Sequence, residues 1–392
     1  MKTRVFLAMA VGLLALCQQG FAQQQGYPTA ANQPAPSYVF LPGYAMPAAY
    51  MAPGAHMAPG VGMPVAAPLG QAVAASQHGD ASACDDCDCG CPVYGWRAYG
   101  EYLYLRPRNA EVPYAVPIDG PIRPQPTATP IEVGPVALLN PDYHSAYRFG
   151  FGWSMDECSS IGADYTRFDS ETTSSVEIDP TRYALRSLVI HPSTLNATGD
   201  FETGAGRYEL NYQMADLNYR HTFACGEGWS ADCQLGVRYA RLQQAVVTDF
   251  SYLGVQEVST SVDFDGAGPK IGLLAERHGC RWGLMVYGRG EASFLVGDFT
   301  ARYAQTDVTA AQTLVETSWK SGRIVPILEL ELGAGWCSPG GRVRLTGGYL
   351  VSGWYNVVKT ADFVDAVQRA NFNHLGNVMT FDGLVGRAEI RF

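Results

Sequence analysis

The sequence predicts an all-β protein: a transmembrane, antiparallel, up-and-down β-barrel of about ten strands, with twelve as the alternative, behind a disordered N-terminal arm. Three observations predict it. Apolar and polar residues alternate in ten segments beyond residue 96, the connections between those segments take turns long and short, and 22 Tyr, 16 Phe and 43 Gly stand among the 392 residues. Period two marks a strand with one apolar and one wet face. A membrane barrel turns the apolar face to lipid and the polar face to its lumen, and uses aromatic girdles and tight turns. Beyond residue 22 no run of about 18 apolar residues lacks proline or glycine, so no helix is available to span. A membrane protein without such helices must close its sheet, because lipid offers no partner to an open backbone edge.

The first 22 residues read as a secretory signal: Lys2 and Arg4, an apolar run from Val5 to Cys17, and a small-residue cleavage site ending at Ala22. A lipoprotein signal acylated at Cys17 is the weaker alternative, since Leu16 stands where a small side chain is wanted. Export through this signal and a lipid-facing barrel together place the protein in the outer membrane, with its lipid as partner. Without Lys2 and Arg4, 25 basic residues face 37 acidic ones, which excludes nucleic acid as a partner. Residues 23–83 carry no charge before Asp80 and repeat MAPGAH, MAPGVG and MP over 51–64, so they form an extended, disordered spacer. A cysteine-rich junction, 84–95, leads into the barrel, 96–392.

The alternating segments lie near 99–105, 143–154, 161–168, 207–220, 231–241, 268–276, 282–295, 328–332, 342–351 and 384–392. The first alternates noisily. In the fourth, Tyr208, Leu210, Tyr212 and Met214 give way to Leu217 and Tyr219, a change of phase that reads as a bulge. Long connections are expected at 107–141, 169–206, 243–263, 298–320 and 356–377, and short ones near Glu157, Cys225, His278 and Pro339. Long loops at one rim and short turns at the other are the outer-membrane arrangement, and an even strand count puts both barrel ends on the periplasmic side.

The stretches GEYLYLRP, YRFGFGW, LNYQMADLNY, LGVRYARL, FDGAGPKIGL, VPILELELGAGW, LTGGYLVSGW and FDGLVGRAEIRF resemble, in order and spacing, the Legionella-type major outer-membrane protein family, and in particular its proline-armed planctomycete members. The resemblance runs over about 99–392. It implies an outer-membrane barrel of a family described as pore-forming. By likeness to closing strands of outer-membrane barrels, it also implies that Phe392 is a signal read by the barrel-assembly machinery.

The lumen-facing set predicted from the alternation is Arg148, Asp164, Glu209, Asp216, Arg238, Lys270, Arg289, Glu291, Glu329, Glu331, Arg342, Arg344, Arg387 and Glu389. Two functions compete for it: a narrow, porin-like pore with a charged eyelet, or a structural or surface-binding barrel plugged by ion-paired side chains. Barrels of about eight strands are filled by side chains and those of sixteen hold water, so ten lies nearer the filled end. Catalysis is not expected: His144, His191 and His374 near the outer loops lack an acidic partner motif, and no cofactor motif occurs.

Cys84, Cys87, Cys89 and Cys91, with Cys158, Cys225, Cys233, Cys280 and Cys337, all map to the periplasmic rim, where exported cysteines pair. Bridges are expected between Cys225 and Cys233 and between Cys280 and Cys337, with the cluster tied to the rim or linking copies into a disulfide-bonded homo-oligomer. A metal site at CDDCDCGC is the alternative, but its spacing lacks the second knuckle of a zinc ribbon.

Overall fold

The computed structural model describes residues 95–123, 131–194, 201–279 and 282–392. The expected signal and spacer, the cysteines at 84–91 and Cys280 lie outside these residues. In chain order the strands are β1 (Trp96–Arg108), β2 (Val112–Asp119), β3 (Ala137–Leu139), β4 (His144–Ser154), β5 (Ser159–Glu177), β6 (Tyr183–Ser187), β7 (Thr203–Gly226), β8 (Trp229–Ser251), β9 (Val255–His278), β10 (Leu284–Asp307), β11 (Gln312–Cys337), β12 (Val343–Val357) and β13 (Asn377–Arg391). One helix, α1 (Thr360–Arg369), sits between β12 and β13. Ten strands close an antiparallel barrel in the order β1-β13-β12-β11-β10-β9-β8-β7-β5-β4, while β3-β2-β6 form a small sheet. The seam joins first strand to last, with Arg97 opposite Arg391 and Glu101 opposite Arg387.

The strands exceed what a membrane requires. β7, β9 and β10 run for 24 residues and β11 for 26, against the roughly ten needed by a tilted spanning strand. Much of what the sequence marks as long connection is therefore strand: 243–263 and 298–320 hold β-hairpin tips that turn within 252–254 and 308–311. Those stretches carry Gln244, Thr248 and Gln256 inward and Ala245 and Val247 outward, so their binary contrast is weak although the pleat continues. The connections that keep structure of their own are 109–143, 178–202 and 358–376, which supply the small sheet and α1.

The apolar face changes sides along each long strand. In the periplasmic half Leu217, Tyr219, Leu235, Val237, Ile271, Val286 and Leu332 point outward and are exposed, as a lipid belt requires. Beyond it, the outward positions become charged, with ion pairs Arg207 to Glu171, Lys320 to Asp298 and Arg108 to Asp382 at 3.0, 3.2 and 2.7 Å. There the inward positions become apolar. The change of phase after Met214 is this exchange of faces and no bulge: β7 stays in register with β5 and β8 from Thr203 to Thr222, and its irregularity falls between Thr222 and Ala224.

The inward apolar side chains form one continuous core. Phe168, Tyr212, Trp354 and Phe381 are buried together, Tyr212 lying 4.9 Å from Phe381 and 5.7 Å from Trp354 between ring centroids. Above them α1 lays Phe363, Val364 and Val367 into the same cluster. Its docking is fixed by polar contacts that also satisfy buried backbone groups. Gln244 Nε2 donates to Val358 O (2.8 Å) and its Oε1 accepts from Thr360 N (3.2 Å); Gln368 Nε2 donates to Leu188 O and Ile190 O (2.9 and 3.0 Å). Ala370 ends the helix in the left-handed region at φ 50°.

Burial raises the Asp362 carboxyl above its ordinary range, with Asn377 Nδ2 donating to it at 3.1 Å. The folded state then binds this proton more tightly than the unfolded chain, so α1 docking weakens as pH rises through the raised pKa and stays weakened at neutral pH. Asp362→Asn keeps an acceptor for Asn377 and removes the charge. Thermal unfolding should show a higher midpoint for the variant at neutral pH, with the gain vanishing at acid pH; an equal shift at both would show that charge is not the cause.

Candidate functional site

Cross-strand register brings the charged side chains of the lumen together. Glu101 on β1 lies opposite Arg387 of β13 on one side and Arg148 of β4 on the other. Asp216 lies opposite Arg238, and Arg289 opposite Glu331. Directly opposed opposite charges stabilise a sheet. The pattern is broken where Asp164 stands opposite Asp216 and, on β10 and β11, where Glu291 stands opposite Glu329, two like charges in register.

Arg238 resolves that conflict. Its Nε and Nη2 donate to the two oxygens of Asp216 at 2.8 and 2.7 Å, Nη2 also reaches Glu291 Oε2 at 3.3 Å, and Nη1 lies 2.5 Å from Glu329 Oε2. Lys270 Nζ joins from β9, 2.7 Å from Asp216 and 2.8 Å from Glu291. Arg148 continues the network to Glu101 (2.9 Å) and Thr166 Oγ1 (2.9 Å), and approaches Glu329 at 3.9 Å. Arg387 pairs with Glu101, and Arg289 with Glu331, which also accepts from Tyr287 OH at 2.7 Å. The five cations Arg148, Arg238, Lys270, Arg289 and Arg387 thus meet the five carboxylates Glu101, Asp216, Glu291, Glu329 and Glu331.

Toward the periplasmic rim the pairs continue. Arg344 grips Glu276 with two contacts of 2.6 and 3.0 Å, and Arg391 donates to Glu389 at 2.7 Å. Asp164 accepts from Tyr99 OH and from Asn218 Nδ2 (2.7 Å), and the Arg387 guanidinium lies over the Tyr99 ring. Toward the outside, the aromatic core and α1 lie immediately above. The lumen is filled by two stacked layers, one of ion pairs and one of apolar side chains. A groove of about 590 Å³ lined by Tyr102, Tyr104, Gly347, Leu384 and Gly386 belongs to the lipid-facing wall.

Two of the sequence-predicted lumen residues lie elsewhere. Glu209 points outward, 2.7 Å from Arg207 with its side chain 41% exposed, because Tyr208 and Leu210 take the inward positions there. Arg342 stands exposed in the turn before β12, where its carbonyl accepts from Arg391 N at 2.8 Å. The other twelve lie on the inward face. The sequence pattern missed Tyr99 and Glu101, since β1 turns from charged to apolar inward residues at Leu103, within its own length. It also missed that Glu276 is the partner of Arg344 across two intervening strands.

At the rim, the expected bridge between Cys225 and Cys233 is not made. Cys233 lies opposite His221 and Cys225 opposite Ser230, so the two sulfurs sit at different heights of the hairpin. Cys233 carries a free thiol, while Cys225 and Cys158 are each disulfide-bonded. Cys337 is buried at the end of β11, and Cys280, its expected partner, lies outside the described residues. Phe392 is exposed, its backbone paired in both directions with Trp96 at 2.9 and 2.8 Å.

Against known families, residues 89–383 match the one described as Legionella pneumophila major outer membrane protein precursor. The chain belongs to this family. Membership and the closed barrel place it in the outer membrane. No curated protein matches it. Among solved structures, it is similar to the outer membrane protease OmpT from Escherichia coli, at 10% identity over 76% of this chain and 97% of that one, TM-score 0.40. It is also similar to the Pseudomonas putida toluene transporter TodX (7%, 80% and 94%, TM-score 0.26) and to a Pseudomonas aeruginosa FadL homologue (9%, 79% and 94%, TM-score 0.24).

Removing the charge that reconciles Glu291 with Glu329 should be costly. Arg238→Leu strands buried carboxylates, and stability in denaturant should fall by about 3–5 kcal/mol. Adding Glu329→Gln should recover part of the loss, because it neutralises the carboxylate left with only the distant Arg148. Folded fraction is read from the heat-modifiable mobility of the barrel on gels; equal losses for the single and double variants would contradict this assignment of roles.

Proposed function

We propose that the protein is a sealed, wall-forming barrel of the outer membrane that passes no solute in this conformation and catalyses no reaction. The observation that carries the reading is the double filling of the lumen: an ion-paired layer around Arg238 and an aromatic layer around Trp354 and Phe381, with α1 packed above. An aqueous channel needs a polar path open from rim to rim. Side chains that are fully buried at mid-lumen leave no such path. The ring of His144 packs edge-on against Phe168, and His191 Nδ1 accepts from Ser193 N, roles that hold local structure and support a non-enzymatic barrel.

A second reading, a narrow ion pore, is favoured by one observation: charge lines the inward face continuously from Arg238 down to Arg391. It requires the apolar layer to part. Planar-bilayer recording separates the two. The purified, refolded protein should insert without conductance, whereas a variant with Trp354 and Phe381 changed to Gly and Arg238 to Ser should show discrete steps. Regular steps from the unaltered protein at low voltage would overturn the sealed-barrel reading.

A further inference from the structure

Near its periplasmic mouth the inward face carries more cation than its carboxylates account for. Arg97 of β1, Arg220 of β7, Arg344 of β12 and Arg391 of β13 stand there. Arg344 holds Glu276 at 2.6 Å and Arg391 holds Glu389 at 2.7 Å, which leaves Asp232 of β8 for the other two arginines. Asp232 accepts from Thr222 Oγ1 at 2.8 Å and lies 3.9 Å from Arg220 Nη1. Among the described residues Arg97 forms no ion pair, and Arg220 Nε is buried with no hydrogen-bond partner. A buried donor without an acceptor is costly, and so is an unpaired cation.

The sequence makes room for Arg97 to approach Arg220. Arg97 lies opposite Gly152 of β4, and Gly152 opposite Gly162 of β5. A side chain at 152 would collide with Arg97 Nε, and a Cβ at 162 would lie 3.6 Å from Arg97 Nη2. The arginine therefore runs along the inner wall over both glycines and ends at β5, one strand spacing of about 4.8 Å from β7. There β7 carries Arg220, in register with Ser160. The charge acting most strongly on Arg97 is the like charge of Arg220, ahead of the Glu389 carboxylate.

We propose that a phosphate group binds between Arg97 and Arg220 at the periplasmic mouth of the lumen. Guanidinium forks match phosphate oxygens in pairs. A phosphate presents oxygens in several directions and meets both forks at once, whereas a planar carboxylate pairs with one and leaves the other facing its edge. Arg220 and Arg391 keep 23% and 20% of their side chains exposed, so a periplasmic solute reaches the site. The ion-paired layer around Arg238 lies deeper, and binding at the mouth needs no open path through the barrel.

Arginine-specific labelling of the full-length protein tests the proposal. Phenylglyoxal is applied to folded barrels in detergent at constant ionic strength, with and without inorganic phosphate, and the modified arginines are read by peptide mass mapping. At phosphate about ten times its dissociation constant, Arg97 and Arg220 should react about tenfold more slowly, since only the empty site reacts, while exposed Arg342 keeps its rate. Chloride at the same ionic strength should not protect. Arg220→Gln should retain the heat-modifiable mobility of a folded barrel and lose the phosphate protection of Arg97. Glycerol phosphate that protects at lower concentration than inorganic phosphate would assign the site to a phosphate ester, and equal or weaker protection would assign it to free phosphate. In the unaltered protein, equal rates at Arg97 and Arg220 with and without phosphate, or equal protection by chloride, would overturn the proposal. Protection of Arg97 that survives Arg220→Gln would overturn it as well.

Discussion

The ion contacts of Arg238 with Asp216, Glu291 and Glu329 are the interaction on which the rest of the lumen depends. β10 and β11 set two buried glutamates directly opposite each other, and β8, two places from β10, supplies the cation. Every carboxylate of the layer then shares cations: Lys270 divides itself between Asp216 and Glu291, and Glu101 sits between Arg148 and Arg387. Such a layer is weak as a source of net stability but costly to break at one point. Its effect is to fix how the strands stand around the barrel, since a slip of one residue would turn every one of these charges into lipid.

Above that layer the chain behaves as a water-exposed β-domain built on the same strands. Lipid outside demands apolar outward residues in the periplasmic half, and water outside demands polar ones beyond it. The inward face takes the complement in each half: charge where the exterior is apolar, and Phe168, Tyr212, Trp354 and Phe381 where it is polar. α1 completes that upper core, with Gln244 and Gln368 accounting for the backbone groups that its docking buries.

The barrel itself was legible in the sequence because lipid and lumen impose opposite polarity on alternate residues, clearest on β4, where Tyr147, Phe149, Phe151 and Trp153 face outward. The exchange of faces was not. On β7 it looks like a bulge, since a reader who follows the apolar set from Met214 to Leu217 loses the inward face, which continues through Asp216, Asn218 and Arg220. The same confusion assigned Glu209 to the lumen. Pairs within one hairpin, such as Asp216 with Arg238, follow from strand order, whereas Arg344 with Glu276 spans the barrel and needs its closure. Cys225 and Cys233 bracket a turn in sequence, but a hairpin pairs positions equidistant from its tip, and these are not.

The central claim, that side chains close the lumen, is tested most directly by asking whether a small reagent reaches its middle. Ser293 is buried beside Arg238, whose Nη1 lies 3.5 Å from its hydroxyl. In Ser293→Cys, a membrane-impermeant thiol reagent applied to either face of barrels in vesicles should leave position 293 unmodified until the barrel is unfolded, as read by mass spectrometry of its peptide. Modification of position 293 in the folded barrel, as fast as that of a cysteine placed at exposed Arg342, would mean that an open path runs through the layers described here.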